Sequence, residues 1–263
     1  MPFHQPDSVR YFTFDSLDQC GLKHAVFTRV RGVSPIPWDT LNVGGTVGDD
    51  PERVLENRLR ITHSLDVHFD SLFDVWQVHS TNVVSTRIPR STNSGYQKAD
   101  AILTDQKNVT LFMRFADCVP ILLYDPVKKV IGLVHSGWQG AVQHIAFESV
   151  KALVERYGSK PDDLVAAIGP SIGPDHYQIG PDVSAQVEVA YEGEVAELLQ
   201  VRNGAQGEDT YFNLWAANTF DLLHSGVRNI ESADICTACH LEDWFSHRGD
   251  RGKTGRFGVL IAL

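Results

Sequence analysis

The chain has 263 residues, 43% hydrophobic and 21% charged, which is enough apolar material for one large globular domain over residues 1–263. Its 23 Lys and Arg stand against 33 Asp and Glu, a formal charge of −10 that argues against nucleic acid or an anionic membrane as a partner. No apolar run reaches the roughly 18–20 residues of a membrane span, and Met1-Pro2-Phe3-His4-Gln5-Pro6-Asp7 lacks the basic start and apolar core of a signal peptide, so a cytoplasmic location is expected.

In chain order, residues 25–28 read as a first buried strand, rich in β-branched and aromatic side chains. Asp50-Pro51-Glu52 opens a helix, with Asp50 as cap and Pro51 at the first helical position, that runs through Val54, Leu55, Leu59 and Ile61. Runs at 74–78, 109–113, 121–124 and 130–134 are again strand-like. A second helix starts near Ala141, carries Ile145, Phe147, Val150, Leu153 and Val154, and stops before Gly158. A strand at 164–168 leads into Gly169-Pro170-Ser171-Ile172-Gly173-Pro174, whose prolines remove N–H donors, so the turn reads as a rigid wall rather than a phosphate loop. Helices follow at 182–190 and 213–224, the latter ending at Gly226, and 257–261 reads as a closing strand. Hairpin-like strand pairs mixed with helices, without regular βαβ alternation, predict a mixed α/β (α+β) domain with mixed sheets flanked by helices.

Three metal-ligating side chains fall where a predicted strand gives way to a loop. His79 follows 74–78, Cys118 sits between two apolar runs in Phe115-Ala116-Asp117-Cys118-Val119-Pro120, and His135 ends 130–134. Such positions can converge at one edge of a sheet. Two imidazoles and one thiolate suit zinc, or copper, with a fourth position free for water or substrate. The four cysteines should be reduced in a cytoplasmic protein, which leaves Cys118 available as ligand or nucleophile. Separations of 39 and 17 positions form no local pattern, so each residue alone also reads as a satisfied polar group or an inert thiol. The thiol and imidazole equally permit a metal-free hydrolase or deamidase, with Cys118 as nucleophile and His135 as base. Asp117, beside Cys118, is a candidate for proton transfer or for orienting a ligand imidazole. Gly137 and Gly140 flank Trp138 before a helix, either to aim N–H groups at an anion or to meet the dihedrals of a tight turn.

Two further segments stand out. Residues 247–256 are the densest basic stretch, either a solvated loop or, being rich in Gly and Arg, an anion cradle. Cys236-Thr237-Ala238-Cys239-His240 matches the haem-attachment string, but no export signal accompanies it and the chain has only Met1 and Met113. No second C-x-x-C pairs with it for zinc, so it reads as a structural turn beside the active site.

Gln77-Val78-His79, Ala99-Asp100-Ala101-Ile102-Leu103-Thr104-Asp105, Ala116-Asp117-Cys118-Val119-Pro120, His135-Ser136-Gly137-Trp138-Gln139-Gly140, Ile168-Gly169-Pro170 and Phe245-Ser246-His247-Arg248 through Thr254-Gly255-Arg256 follow one another in order. Together they resemble the laccase-domain family of purine nucleoside phosphorylases, also labelled multicopper polyphenol oxidoreductases, from about Thr28 to the C-terminus. The resemblance implies the laccase-domain fold and a zinc held by His79, Cys118 and His135. It also implies phosphorolysis of adenosine, inosine, guanosine and methylthioadenosine, with hydrolytic deamination of adenosine; nucleoside and phosphate are then the partners. Catalysis falls to the three ligands and Asp117. Leu41-Asn42-Val43-Gly44 and Asn57-Arg58 match further family motifs, so Asn42, Arg58, Gln77, Arg248 and Arg256 are the expected substrate contacts. Arg58 is the foremost cation, although without the family it reads as an exposed helix charge. Three positions depart from the family: Arg31 where glycine is usual, Gln139 where arginine is common and Gln178 where glutamate is common. The change at Gln139 weakens anion binding unless Arg31 compensates. A copper-dependent, laccase-like polyphenol oxidase is the rival reading, but multinuclear copper needs clustered imidazoles and the 11 histidines include no His-x-His.

Overall fold

The computed structural model describes residues 3–5, 9–91, 94–193, 195–204 and 207–263; Met1, Pro2, Pro6 and Asp7 of the N-terminal stretch lie outside them. Two mixed six-stranded sheets organise these residues. One orders its strands Phe3–His4, Tyr11–Phe12, Lys23–Phe27, Phe257–Ala262, Thr110–Phe115 and Leu72–Phe73. The other orders them Asn229–Ser232, Val165–Ile168, Val119–Asp125, Val130–Ser136, Ala101–Thr104 and Val83–Ser85. A small antiparallel sheet joins Gln178–Ile179, Gly207–Phe212 and Leu199–Gly204. The mixed α/β architecture expected from the sequence is what the chain adopts.

The period-two alternation of strands explains the layers. In Val119–Asp125, Leu122 and Tyr124 join the core between the two large sheets, together with Phe115, Phe257, Val259 and Ile261. Ile121 and Leu123 face the other way, into a core shared with Ile145, Val150 and Leu153 of the helix Ile145–Tyr157 and Leu222 of Leu214–His224. On the outer face of the first sheet, Phe27, Phe112 and Leu260 cluster with Leu41 and Val43 of the loop 28–50 and with Ile61 of the helix Pro51–Ser64. Burial on both faces is why these strands read as unbroken apolar runs. The helix starts where expected, since the Asp50 side chain accepts from the Glu52 N–H at 2.8 Å. Asn213 caps Leu214–His224 in the same way, accepting from Ala216 at 3.1 Å.

Two expectations change. The helix starting near Ala141 is two helices, Trp138–Val142 and Ile145–Tyr157, broken at His144, whose φ is 59°. The His144 imidazole is 2.8 Å from Asp221, a contact 77 residues away that the local pattern does not carry. Residues 74–78 are not a strand; only Leu72–Phe73 and an isolated bridge between Trp76 and Lys98 remain. Side chains have taken over that stretch: Asp74 pairs with Arg90 and Arg114, the Gln77 amide with the Arg114 backbone, and the Val78 and His79 N–H groups with Asp100. Among the described residues no helix is long and apolar enough to cross a membrane.

Candidate metal centre

Hairpin register closes the gap between Cys118 and His135. Val119 pairs with Ser136 and Pro120 with His135, which sets Cys118 across from Gly137 at the open end of the hairpin. The neighbouring strand Ala101–Thr104 pairs Ala101 with Val134, and the His79 loop packs against its start. Cys118 Sγ lies 3.8 Å from His79 Nε2, and one donor atom from each of His79, Cys118 and His135 lies within 4.8 Å of the others. An ion with tetrahedral bonds of about 2.3 Å to sulfur and 2.0–2.1 Å to nitrogen spaces such ligands about 3.6 Å apart, so the donor set fits a single zinc-sized ion. His79 is exposed, Cys118 half-buried and His135 buried, which leaves the group open toward solvent on the His79 side.

Gly137 is part of this fit. Its backbone is ordinary extended chain, φ −84° and ψ −178°, so the turn does not demand glycine. A Cβ there would stand 2.8 Å from His79 Cδ2 and 3.0 Å from Cys118 Sγ. Glycine makes room for the donors.

Asp100 is the organising residue that the sequence reading left out as a site residue. Fully buried, its carboxylate lies 2.9 Å from His135 Nδ1 and accepts from the N–H groups of His79 at 3.0 Å and Ser80 at 2.6 Å. It also accepts from the Ser80 hydroxyl at 2.8 Å and, more loosely, from Val78 N–H. One side chain therefore fixes the orientation of His135 and the loop carrying His79, whose φ is 60°. Burial pushes the Asp100 carboxyl up, but His135 and Ser80 outweigh it and hold it below the ordinary value. The available signal was its place directly ahead of the strand that pairs with the His135 strand.

Charge coupling marks the same group. Burial pushes the Cys118 thiol up, yet His135 and His79 bring it down to about 6. Burial pushes His135 down, while Cys118 and Asp100 raise it to about 9. Metal-stripped protein should then hold a thiolate beside an imidazolium between those values. Iodoacetamide modification of Cys118, followed by peptide mass spectrometry, should rise as pH passes about 6 and level off by about pH 7.5, where an ordinary thiol of pKa about 8.5 is still accelerating. A midpoint near 8.5 would contradict the coupling.

The other expected site residues separate into two groups. Asn42 is fully buried, with Oδ1 accepting from Gly44 and Arg256 N–H, both at 2.9 Å, and Nδ2 donating to Asp49 at 2.8 Å. It shapes the loop holding Arg256 and is sealed from any substrate. Gln77 donates to Arg114 O at 2.8 Å and accepts from Arg114 N–H at 3.1 Å, so its amide is used to clamp the chain before His79. Asp117, at φ 83°, accepts from the Thr237 hydroxyl at 2.7 Å and Arg248 N–H at 2.6 Å. The carboxylate orienting an imidazole is Asp100, in place of Asp117. Arg58 is half-buried, donates to Val43 O at 3.0 Å, and lines a cavity of about 300 Å³ with Asp74, Arg90, Phe69 and Phe112; none of the three metal-type donors lines it. A more open depression of about 510 Å³, flanked by Lys98, Lys151 and Arg156, has no histidine or cysteine in its walls.

Arg248 and Arg256 connect to the Cys118 loop, Arg248 through its backbone N–H to Asp117 and Arg256 through the charges of Cys118 and Asp117. Arg248 is exposed, donates to Gln178 O at 2.9 Å and rests 5.3 Å from the Tyr177 ring centroid. Arg256 is half-buried; burial pushes it down, while Cys118 and Asp117 act on it in the opposite sense. Burial, followed by the negative charge of Cys118, pushes Tyr177 well above the ordinary phenol value despite Arg248, so it stays a neutral phenol. Arg31 has φ 68°, the left-handed region, which accounts for the glycine usual there.

Comparison with known proteins gives the chain's family. A protein of Deinococcus radiodurans named purine nucleoside phosphorylase is 37% identical over 240 residues, covering 91% of this chain and 88% of that protein. Purine nucleoside phosphorylase YlmD of Bacillus subtilis is 34% identical over 244 residues, covering 90% and 86%. The crystal structure of Bacillus licheniformis hypothetical protein YfiH superposes with a TM-score of 0.89 at 30% identity, over 100% of this chain and 99% of that one. YlmD from Geobacillus stearothermophilus gives a TM-score of 0.87, also at 30% identity, over 99% and 98%. The profile of the family described as multi-copper polyphenol oxidoreductase laccase matches residues 23–263, nearly the whole sequence. By its sequence and its fold alike, this chain belongs to that laccase family.

Proposed function

We propose that this chain is a cytoplasmic, zinc-dependent purine nucleoside phosphorylase acting on adenosine, inosine, guanosine and methylthioadenosine, with adenosine deaminase activity. The observation that carries this is the meeting of His79, Cys118 and His135 donors within 4.8 Å, with Arg248 and Arg256 connected to the Cys118 loop. The relatives named purine nucleoside phosphorylase supply the reaction. His79, Cys118 and His135 would hold the ion, and when bound it supplies Lewis acidity and eases ionisation of water at neutral pH.

The rest follows from the chain's own side chains. In phosphorolysis a phosphate oxygen bonds to ribose C1′ while the C1′–N9 bond breaks, and the purine leaves with the electron pair and takes up a proton. Arg256, which feels the charges of Cys118 and Asp117, and the exposed Arg248 would hold the phosphate dianion by charge-assisted hydrogen bonds. Asp117, bonded to Thr237 and the Arg248 backbone, keeps the Cys118 loop and the Arg248 loop in register. Tyr177, a neutral phenol beneath Arg248, can donate a hydrogen bond to substrate. Arg58 lies across the glycine loop, where a Cβ on Gly45 would be 3.9 Å from its Nη2 and one on Gly44 would be 2.8 Å from Arg256 Cγ. Deamination, which exchanges the C6 amine of adenosine for oxygen from water and releases ammonia, needs no phosphate.

The test is chromatography of zinc-loaded protein incubated with adenosine, with and without phosphate. Adenine and ribose 1-phosphate should form only with phosphate, and inosine in both conditions; unchanged adenosine in both would refute the assignment. Two imidazoles and one thiolate are too few donors for a multinuclear copper cluster, although a single copper ion fits the same ligands. Phenol oxidation that tracks copper content and vanishes with chelator would favour that occupant. The low-lying Cys118 thiol next to His135 supports one other reading, a metal-free Cys-His hydrolase. Activity that survives metal removal but not alkylation would select it.

A further inference from the structure

Behind the first centre lies a second group of metal-type donors. His176, from the turn after Gly173, meets Cys236 and Cys239 although 60 and 63 positions separate them in sequence. His176 Nδ1 is 3.7 Å from Cys236 Sγ and 3.5 Å from Cys239 Sγ, and the three donor atoms lie within 4.8 Å of one another. Both values match the ligand spacing of about 3.6 Å expected around a tetrahedral zinc-sized ion. His240, the neighbour in the Cys-x-x-Cys-His string, instead turns to Glu242 at 3.3 Å. The string alone therefore names the wrong imidazole.

Local architecture supports the sulfurs as ligands. The Gly173 N–H points at Cys236 Sγ at 3.1 Å, a donor that satisfies a thiolate in the way outer-shell hydrogen bonds commonly do. A Cβ on Gly173 would stand 3.0 Å from Cys236 Cβ and 3.1 Å from Trp215, so the glycine admits this contact. Reciprocal backbone bonds join the two turns, Ser171 N–H to Ile235 O at 3.1 Å and Thr237 N–H to Ser171 O at 3.0 Å. Cys236 is buried while His176 and Cys239 are exposed, which leaves a path for an ion.

We propose that His176, Cys236 and Cys239 form a second site for a thiophilic divalent cation, zinc foremost. Two thiolates balance the ion's charge, and the neutral imidazole completes three ligands, with a fourth position for water. The ion clips the turn 169–177 to the turn 235–240. Thr237, between the two cysteines, carries that clip to Asp117 and so to the loop of Cys118.

The experiment uses full-length protein kept in a phosphine reductant, stripped with chelator, reloaded with zinc and dialysed, with metal and protein both quantified. Wild type should hold two equivalents, Cys239→Ala and His176→Ala one each, and Cys118→Ala one. With cobalt in place of zinc, Cys239→Ala should lose about two-thirds of the sulfur-to-cobalt absorption, because two of the three thiolates belong to this site. The exposed positions Cys239 and His176 are chosen so that folding survives, which circular dichroism confirms. One equivalent in wild type that Cys239→Ala retains, or two equivalents persisting in Cys239→Ala, would overturn the proposal. So would a Cys236–Cys239 disulfide, seen as a loss of two hydrogens by mass in protein prepared without reductant, if zinc stays at one equivalent once reduced. One equivalent in wild type that Cys239→Ala loses and Cys118→Ala keeps would count against the first centre and leave this one standing.

Discussion

Asp100→Ala should empty the first metal centre and remove most activity, although it deletes no proposed ligand. The carboxylate serves His135 Nδ1, the backbone N–H groups of His79 and Ser80, and the Ser80 hydroxyl, all from a fully buried position. Deleting it strands those donors at a cost of about 1–3 kcal/mol each, so unfolding should shift to lower denaturant as well. Asp100→Asn separates the two effects. It keeps the volume and one acceptor but places an N–H₂ where an acceptor is needed, and zinc affinity should fall about 10–100-fold with much of the fold stability retained. Competition against a chromophoric chelator gives the affinity, and urea titration the stability. Unchanged affinity in Asp100→Asn would remove Asp100 from the account. The pH dependence has a definite sign. Because Asp100 is held below the ordinary carboxylate value in the folded state, its contribution is present above about pH 4 and is lost only as pH falls through the lower folded value.

Cys118→Ala should have the larger effect on turnover. Cys118 is the sole sulfur in its donor group, its charge acts on Arg256, and it contributes to the raised His135. Losing the ion forfeits several kcal/mol of transition-state stabilisation, so phosphorolysis should fall on the order of 10³-fold. Cys118 is half-buried at the mouth of the hairpin, and removing its sulfur leaves the Val119–Ser136 and Pro120–His135 pairs in place, so the melting temperature of stripped protein should change little. A variant that binds no metal at this centre yet turns over adenosine at the wild-type rate would point to chemistry elsewhere in the molecule.

The contrast between what was legible and what was not has a common physical cause. Strands such as Val119–Asp125 and Val130–Ser136 are buried on both faces, so composition alone exposes them. Cys118 and His135 were readable as strand-end donors; placement at strand ends allowed convergence with His79, and the family resemblance was what named the three as one ligand set. Asn42, Gln77 and Asp117 look like ligand-binding side chains in a string of letters, yet their polar atoms serve distant backbone groups. Asp100 is the reverse case, organising the site chiefly through main-chain N–H groups that no side-chain motif reveals. The break at His144 and the meeting of His176 with Cys236 depend on partners 77 and 60 positions away, beyond the reach of local periodicity.

X-ray absorption at the zinc edge of zinc-loaded Cys239→Ala protein bears most directly on the central claim, because that variant isolates the first centre. The spectrum should require one sulfur at about 2.3 Å and two imidazole nitrogens at about 2.0–2.1 Å. A shell of oxygen and nitrogen alone, with no sulfur, would show that Cys118 does not bind the ion and that His79, Cys118 and His135 do not act as one site.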